Sequence, residues 1–249
     1  MGETLNGKVA LVTGGSRGIG AATARALADE GADVAISYVA SADRAEAVVR
    51  ELAGKGVRAC GLRADQADPG QVQGLVSAVV DRFGRLDILV NNAGVSIPAP
   101  LGDSGADTEA VEQQYAINIG GVVAAVRAAA QVMGEGGRIV SVGSLAASRV
   151  GLSGFADYAA TKAAIVGYSR GAARDLAPRG ITVNVVQPGP VDTDMNPAHG
   201  ELAPALMAQV PLGRYGRPEE IAAAIVFLAG PAASYITGAV LDVDGGAGT

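Results

Sequence analysis

Seven short runs dominated by Val, Ile and Leu alternate along the chain with longer Ala-rich segments. The runs are Lys8–Thr13, Asp33–Ser37, Val57–Leu62, Leu86–Val90, Arg138–Val142, Thr182–Val186 and Val240–Val243. Near-continuous apolar runs of this length mark strands covered on both faces, whereas strict alternation would mark a half-exposed sheet. The intervening segments Ala21–Glu30, Asp43–Ala53, Gln71–Phe83, Glu109–Met133, Ala156–Leu176 and Glu219–Leu228 carry helical spacing. This order predicts an α/β, doubly wound architecture: a seven-stranded parallel sheet with helices on both faces, linked by right-handed crossovers. The Gly/Pro-rich stretches 94–105 and 187–204 keep apolar residues and sit inside the alternation, so they read as site-forming loops of one domain spanning 1–249.

Composition excludes several functions. Hydrophobic residues make up 49% and charged residues 18%, which supplies one large core. Net charge is -6, and 16 of the 19 cationic residues are arginines scattered along the chain, so no phosphate-tracking surface and no nucleic-acid partner is expected. The single cysteine, Cys60, falls in a strand and reads as a buried thiol, which fits a cytoplasmic setting. Met1–Asn6 shows no leader pattern, and no uninterrupted apolar stretch approaches a membrane span; a soluble protein without a membrane partner is expected. His199 is the lone histidine, and no metal-ligand cluster surrounds it in the sequence.

The first strand runs into Gly14-Gly15-Ser16-Arg17-Gly18-Ile19-Gly20 and then a helical segment. In so glycine-rich a chain this spacing arises by chance roughly 0.7 times, so the information lies in its place at a strand-to-helix turn. There, glycines let the backbone approach a pyrophosphate, and free amides with the positive helix end stabilise its charge. A site built for NAD(H) usually ends its second strand with an acid for the ribose 2'-hydroxyl. Here that strand ends Ser37-Tyr38-Val39-Ala40-Ser41. Without a carboxylate, with the Ser37 and Ser41 hydroxyls nearby and Arg17 in the loop, NADP(H) is predicted over NAD(H), Arg17 pairing with the 2'-phosphate.

Tyr158 and Lys162 stand four residues apart in a helical segment, which puts phenol and ammonium on one face. Chance provides such a pair only about 0.07 times. A cation about 4 Å from a phenol, at an effective dielectric near 20, stabilises phenolate by about 4 kcal/mol. Tyr158 then suits general acid/base chemistry, with Lys162 as its electrostatic partner.

Together, Thr13 to Gly20, Asn91-Asn92-Ala93-Gly94, Asn118, Ser144, Tyr158-x-x-x-Lys162, Pro188-Gly189 and the closing Gly238 to Gly246 resemble the short-chain dehydrogenase/reductase family over nearly the whole chain. The resemblance implies a single-domain Rossmann-like fold, with Ser144 bonding the substrate oxygen, Tyr158 as general acid/base, Lys162 lowering its pKa and holding the nicotinamide ribose, and Asn118 completing a proton relay through water. It also implies a cofactor groove of Gly14, Ser16, Arg17, Gly18, Ile19, Gly20, Ser37, Tyr38, Ser41, Asp65, Gln66, Asn91, Ala93, Gly94, Pro188, Gly189, Val191 and Thr193. Asp65 would meet adenine, and Val191 with Thr193 the carboxamide. One departure is visible: Ser144 precedes Tyr158 by one residue more than is usual, which leaves Ser141 and Ser148 as rivals.

The resemblance puts a substrate lid at about 190–212. Val150, Phe155, Met195, Leu202 and Leu206, with Met207 and Leu152, offer an apolar wall around Ser144. The reading that follows is reduction of small or medium ketones, or oxidation of the corresponding secondary alcohols. An alternative is a 3-oxoacyl-(acyl-carrier-protein) reductase, for which Arg149, Arg174 and Arg179 are candidate docking cations and Glu135 is unfavourable. A third reading is a non-catalytic NADP(H)-binding regulator or scaffold. Ala- and Val-rich Glu109–Met133 and Ala156–Leu176 suggest close contact between subunits; the family is typically tetrameric or dimeric.

Overall fold

A computed structural model describes residues 4–249 of the chain, so Met1, Gly2 and Glu3, half of the segment read for a leader, lie outside the described residues. Seven parallel strands form one sheet in the order β3-β2-β1-β4-β5-β6-β7. They are β1 (Val9–Val12), β2 (Asp33–Tyr38), β3 (Ala59–Arg63), β4 (Ile88–Asn91), β5 (Arg138–Val142), β6 (Thr182–Pro188) and β7 (Val240–Val243). Each lies where the apolar runs predicted it, with ends shifted by two residues or fewer.

The helices are α1 (Gly18–Asp29), α2 (Ala42–Ala53), α3 (Pro69–Phe83), α4 (Thr108–Tyr115), α5 (Val122–Val132), α6 (Ala156–Leu176), α7 (Ala203–Met207) and α8 (Pro218–Ala229). Side chains of β1 alternate between the two layers: Val9 and Leu11 join the core under α3, α5 and α6, and Ala10 and Val12 the core under α1, α2 and α8. That two-sided burial explains the unbroken hydrophobic runs. Local signals set the helix ends. Asp68 caps α3 by accepting from the amides of Gly70 and Gln71 at 2.8 and 3.2 Å, Pro69 opens the helix, and Gly84 closes it at φ 83°.

The segment predicted as one helix over Glu109–Met133 is continuous but not uniform. Between α4 and α5 the residues Ala116–Gly121 form a π-helical segment. Gly121 there lies so close to Gln66 that a Cβ would collide with the Gln66 carbonyl, and packing against that corner accompanies the wider turn. The run Thr108–Val132 is long and apolar enough by composition to cross a bilayer. It packs against α3 and α6 as a core helix.

Because every strand is parallel, the loops after β1, β4, β5 and β6 emerge along one edge. The chain order reverses between β1 and β4, which opens a crevice there, where ligands bind in sheets of this kind.

Candidate active site

The floor of the crevice is built by short bonds between strand ends. Thr13, fully buried, accepts from the amides of Asn92 and Ala93 at 3.0 Å each, and the Asn92 side chain donates back to the Thr13 and Gly14 carbonyls at 2.9 and 3.1 Å. This ties the end of β4 to the end of β1. Gly18 opens α1 at φ 52°, and a Cβ at Gly20 would strike the Gly14 carbonyl, so these glycines permit a turn that other residues would block. The loop presents Ser16 half-buried, Arg17 exposed, and Ile19 packed against the core.

Ser37 turns inward: its hydroxyl is buried and accepts from the Gly14 amide at 3.2 Å, so it braces the glycine loop rather than facing the groove rim. Tyr38 lies over Gly61, and Ser41 precedes α2 with its hydroxyl making no cap bond. Asp65 accepts from the Ala67 amide at 2.9 Å and, with Val39, Arg63 and Gln71, lines a cleft of about 330 Å³ beside the ends of β2 and β3. Gln66 is buried with no partner for its side-chain nitrogen among the described residues.

Across the crevice, α6 carries Tyr158, Thr161 and Lys162 into the interior. The Ser144 hydroxyl stands beside Tyr158, close enough to favour its phenolate, and accepts from the Ala146 amide at 3.1 Å. The rivals are committed elsewhere: Ser141 accepts from Asn91 at 3.2 Å inside the sheet, and exposed Ser148 donates to the Leu145 carbonyl at 3.2 Å. Asn118, 1% exposed, accepts from the Val95 amide at 2.9 Å and donates to the Val95 carbonyl at 2.9 Å and to Thr161 at 3.1 Å. Both of its amide N–H donors are employed, and its oxygen holds the Val95 amide.

Lys162 is 7% exposed, and its ammonium donates to the Val142 carbonyl at 3.0 Å. Burial pulls it down to about 8. The same burial pushes the Tyr158 phenol up, against the opposing pull of the Ser144 hydroxyl. Lys162 stands close to this phenol. Its nitrogen lies 5.7 Å from the Tyr158 ring centroid, and desolvation penalises both charged forms.

Gly94 faces this cluster: a Cβ there would come within 3.2 Å of Asn118 Oδ1 and 3.5 Å of Lys162 Nζ. Only a bare backbone leaves this slot beside a buried ammonium with donors to spare, a shape and charge suited to the hydroxyls of a ribose. With the glycine turn at the other end of the crevice, the residues present fit a dinucleotide.

Pro188 ends β6, Gly189 after it is pressed against Asp244, Val191 pairs with Gly216, and Thr193 lies 3.4 Å from the β-position of Gly18. The apolar wall is only partly assembled. Phe155 packs edge-on to Tyr158 with centroids 6.3 Å apart, and Leu206 is half-buried, but Val150, Met195 and Leu202 remain 51%, 55% and 45% exposed. The loop carrying Val150 does meet the 190–212 segment where Gly151 abuts the Gln209 side chain.

A family model described as enoyl-(acyl carrier protein) reductase matches residues 14–248. A crystal structure of a short chain dehydrogenase from Burkholderia cenocepacia in complex with NADP superposes with a TM-score of 0.97 at 50% identity, covering 99% of this chain and all of the other. The chain belongs to the short-chain dehydrogenase/reductase family. It is also 43% identical over 242 residues to the cyclic-di-GMP-binding biofilm dispersal mediator protein of Escherichia coli, covering 97% of this chain and 98% of the relative. A 3-oxoacyl-(acyl-carrier-protein) reductase of Staphylococcus aureus is 42% identical over 246 residues, covering 96% and 97%.

Within this short-chain dehydrogenase/reductase, several contributors went unnoticed in the sequence. Arg44, near the start of α2, reaches Asp194 at 2.6 Å, and Arg17 reaches the same oxygen at 3.4 Å. Gln114, completely buried, accepts from the Ile97 amide at 2.7 Å and so holds the loop after β4. Tyr115 donates to Asp157 at 2.9 Å, joining the helix of Asn118 to that of Tyr158. Thr161 was legible only as the residue one helical turn from Tyr158; the others carry no local signal.

Proposed function

We propose that this oxidoreductase interconverts ketones and secondary alcohols of small or medium size with NADP(H) preferred over NAD(H). The observation that carries the reading is the grouping of Ser144 and Tyr158 with buried Lys162, opposite Gly94. When bound, NADPH supplies a hydride to the carbonyl carbon. The chain's own part is the proton: Tyr158 gives its phenolic hydrogen to the carbonyl oxygen, and Ser144 donates a hydrogen bond to that oxygen. Lys162, charged below about pH 8, steadies the phenolate that remains, and its free N–H donors suit the ribose. The Asn118 backbone supports the water through which Tyr158 regains its proton. Arg17 and the absence of an acid at the end of β2 favour the 2'-phosphate.

The groove is proposed to run from Ser16, Tyr38, Ser41 and Asp65 past Asn91 and Gly94 to Val191 and Thr193, with residues 190–212 as the lid. Small substrates are favoured over a carrier protein by the state of the docking cations. Arg149 donates to the Ala247 and Thr249 carbonyls, and Arg179 to those of Ala130 and Met133, which leaves only Arg174 of the three outside such a bond. The Staphylococcus aureus relative keeps the 3-oxoacyl thioester as the second reading. A homotetramer, or a dimer, in the cytoplasm completes the proposal. Exposed Phe227, Tyr235 and Leu241 around the open edge strand β7 support assembly, which light scattering tests; a monomer would refute it.

The test is oxidation of NADPH and NADH by purified protein against ketones, β-keto esters and a 3-oxoacyl thioester. Turnover of free ketones with NADPH is expected. Turnover of the thioester alone would select the second reading, and cofactor binding without turnover of any carbonyl would select a regulator.

A further inference from the structure

Two guanidinium groups converge on one oxygen. Arg17, at the head of α1, and Arg44, in the first turn of α2, both contact Asp194 Oδ2, at 3.4 and 2.6 Å. The carboxylate belongs to the segment after β6, whereas both arginines come from the cofactor half of the sheet. They stand beside the end of β2, where Ser37 to Ser41 offers no acid. Two like charges held this close repel unless an anion lies between them, and a pair of arginines on one oxyanion suits a phosphate.

We propose that Asp194 is an internal stand-in for the 2'-phosphate of NADP(H). It holds Arg17 and Arg44 together in the free enzyme and yields them when that phosphate arrives, which releases the first stretch of the lid. The proposal rests on the NADP(H) reading above. It adds Arg44 as a second specificity-determining residue and Asp194 as the group that couples cofactor identity to lid position.

The contacts suit such an exchange. All three side chains are more than half exposed, so the ion pairs are weak and a dianion displaces them readily. The same short stretch is otherwise pinned to the body by few bonds. The Asp192 amide donates to the Gly216 carbonyl at 3.0 Å, Tyr215 donates to Asn196 Oδ1 at 3.2 Å and Thr193 rests against Gly18, while within the stretch the Asn196 amide donates to the Thr193 carbonyl at 3.1 Å and the Ala198 amide to Asp192 at 2.9 Å. Loss of the Asp194 anchor leaves Thr193 as the nearest remaining contact with the glycine loop. A cofactor without the 2'-phosphate brings no competitor for the arginines and leaves the anchor closed.

Adenosine 2',5'-bisphosphate and 5'-AMP, which differ by the 2'-phosphate and lack nicotinamide, separate these effects without any turnover. Calorimetric affinities are to be measured for the unmodified protein, Asp194→Asn and Arg44→Ala, together with amide exchange at Asn196 and Ala198. Asp194→Asn is expected to bind the bisphosphate about two- to fivefold more tightly, the size of an exposed ion pair, with 5'-AMP unchanged. Arg44→Ala is expected to bind the bisphosphate about tenfold more weakly. The bisphosphate, and not 5'-AMP, should speed exchange at both amides, and Asp194→Asn should exchange fast without ligand. Unchanged or weaker bisphosphate binding in Asp194→Asn, or unchanged lid exchange, overturns the stand-in. Equal affinity of the unmodified protein for both ligands instead overturns the NADP(H) preference itself.

Discussion

The two walls of the crevice are held by different physics. On the catalytic wall, Asn118, Thr161 and Lys162 are all buried, and the Asn118 side chain alone makes three hydrogen bonds. On the lid wall, Met195 and Leu202 are half exposed, and Asp194 is anchored only by surface ion pairs. Buried polar groups tolerate one arrangement because an unpaired one costs about 1–3 kcal/mol. Exposed ion pairs change partners at almost no cost. Packing therefore fixes the geometry of the buried cluster, whereas the exposed contacts of the facing wall are free to change partners.

Lys162→Met tests the catalytic wall most severely, because activity and stability should move in opposite directions. Turnover is expected to fall at least about a hundredfold with loss of the cation behind Tyr158. The fold should become more stable. The folded pKa of Lys162, about 8, lies below its ordinary value of 10.5, so the unfolded chain binds the extra proton between these values. The penalty is fully present below pH 8 and is relieved as pH rises toward 10.5, with an upper size of ~3 kcal/mol. Melting at pH 7 should favour the variant, and the gap should narrow by pH 9.5; a variant less stable than the parent at pH 7 would contradict this.

Asn118→Ala breaks the same wall from the structural side. It strands the Val95 amide and carbonyl, while the Thr161 hydroxyl keeps its bond to the Tyr158 carbonyl, for a loss of about 2–4 kcal/mol, read from urea denaturation. A midpoint that does not move would mean that the floor does not depend on this amide. On the lid wall, Met195→Ala should leave stability within about 0.5 kcal/mol while KM for a ketone rises a few-fold and kcat stays constant. A large loss of stability there would erase the contrast between the walls.

The same contrast decides what was legible. Strands buried on both faces wrote themselves as Val/Ile/Leu runs, Tyr158 and Lys162 were readable from their spacing on one helix, and Ser144 was readable only through the family resemblance. The π-helical segment was not readable, since it goes with a contact between Gly121 and Gln66, which lie far apart in sequence. Arg44 and Asp194 meet across 150 residues, and no local pattern marks an exposed pair of this kind. The burial that shifts Tyr158 and Lys162 in opposite directions carries no local sequence signal.

The most direct test of the catalytic assignment is single-turnover NADPH oxidation by Tyr158→Phe with a ketone that the parent enzyme reduces, alongside NADPH affinity. The expected result is a loss of about a hundredfold or more in the rate of the chemical step, with cofactor affinity within twofold of the parent. A phenylalanine variant that turns over at the parent rate would show that the proton comes from elsewhere and would contradict the assignment of Tyr158.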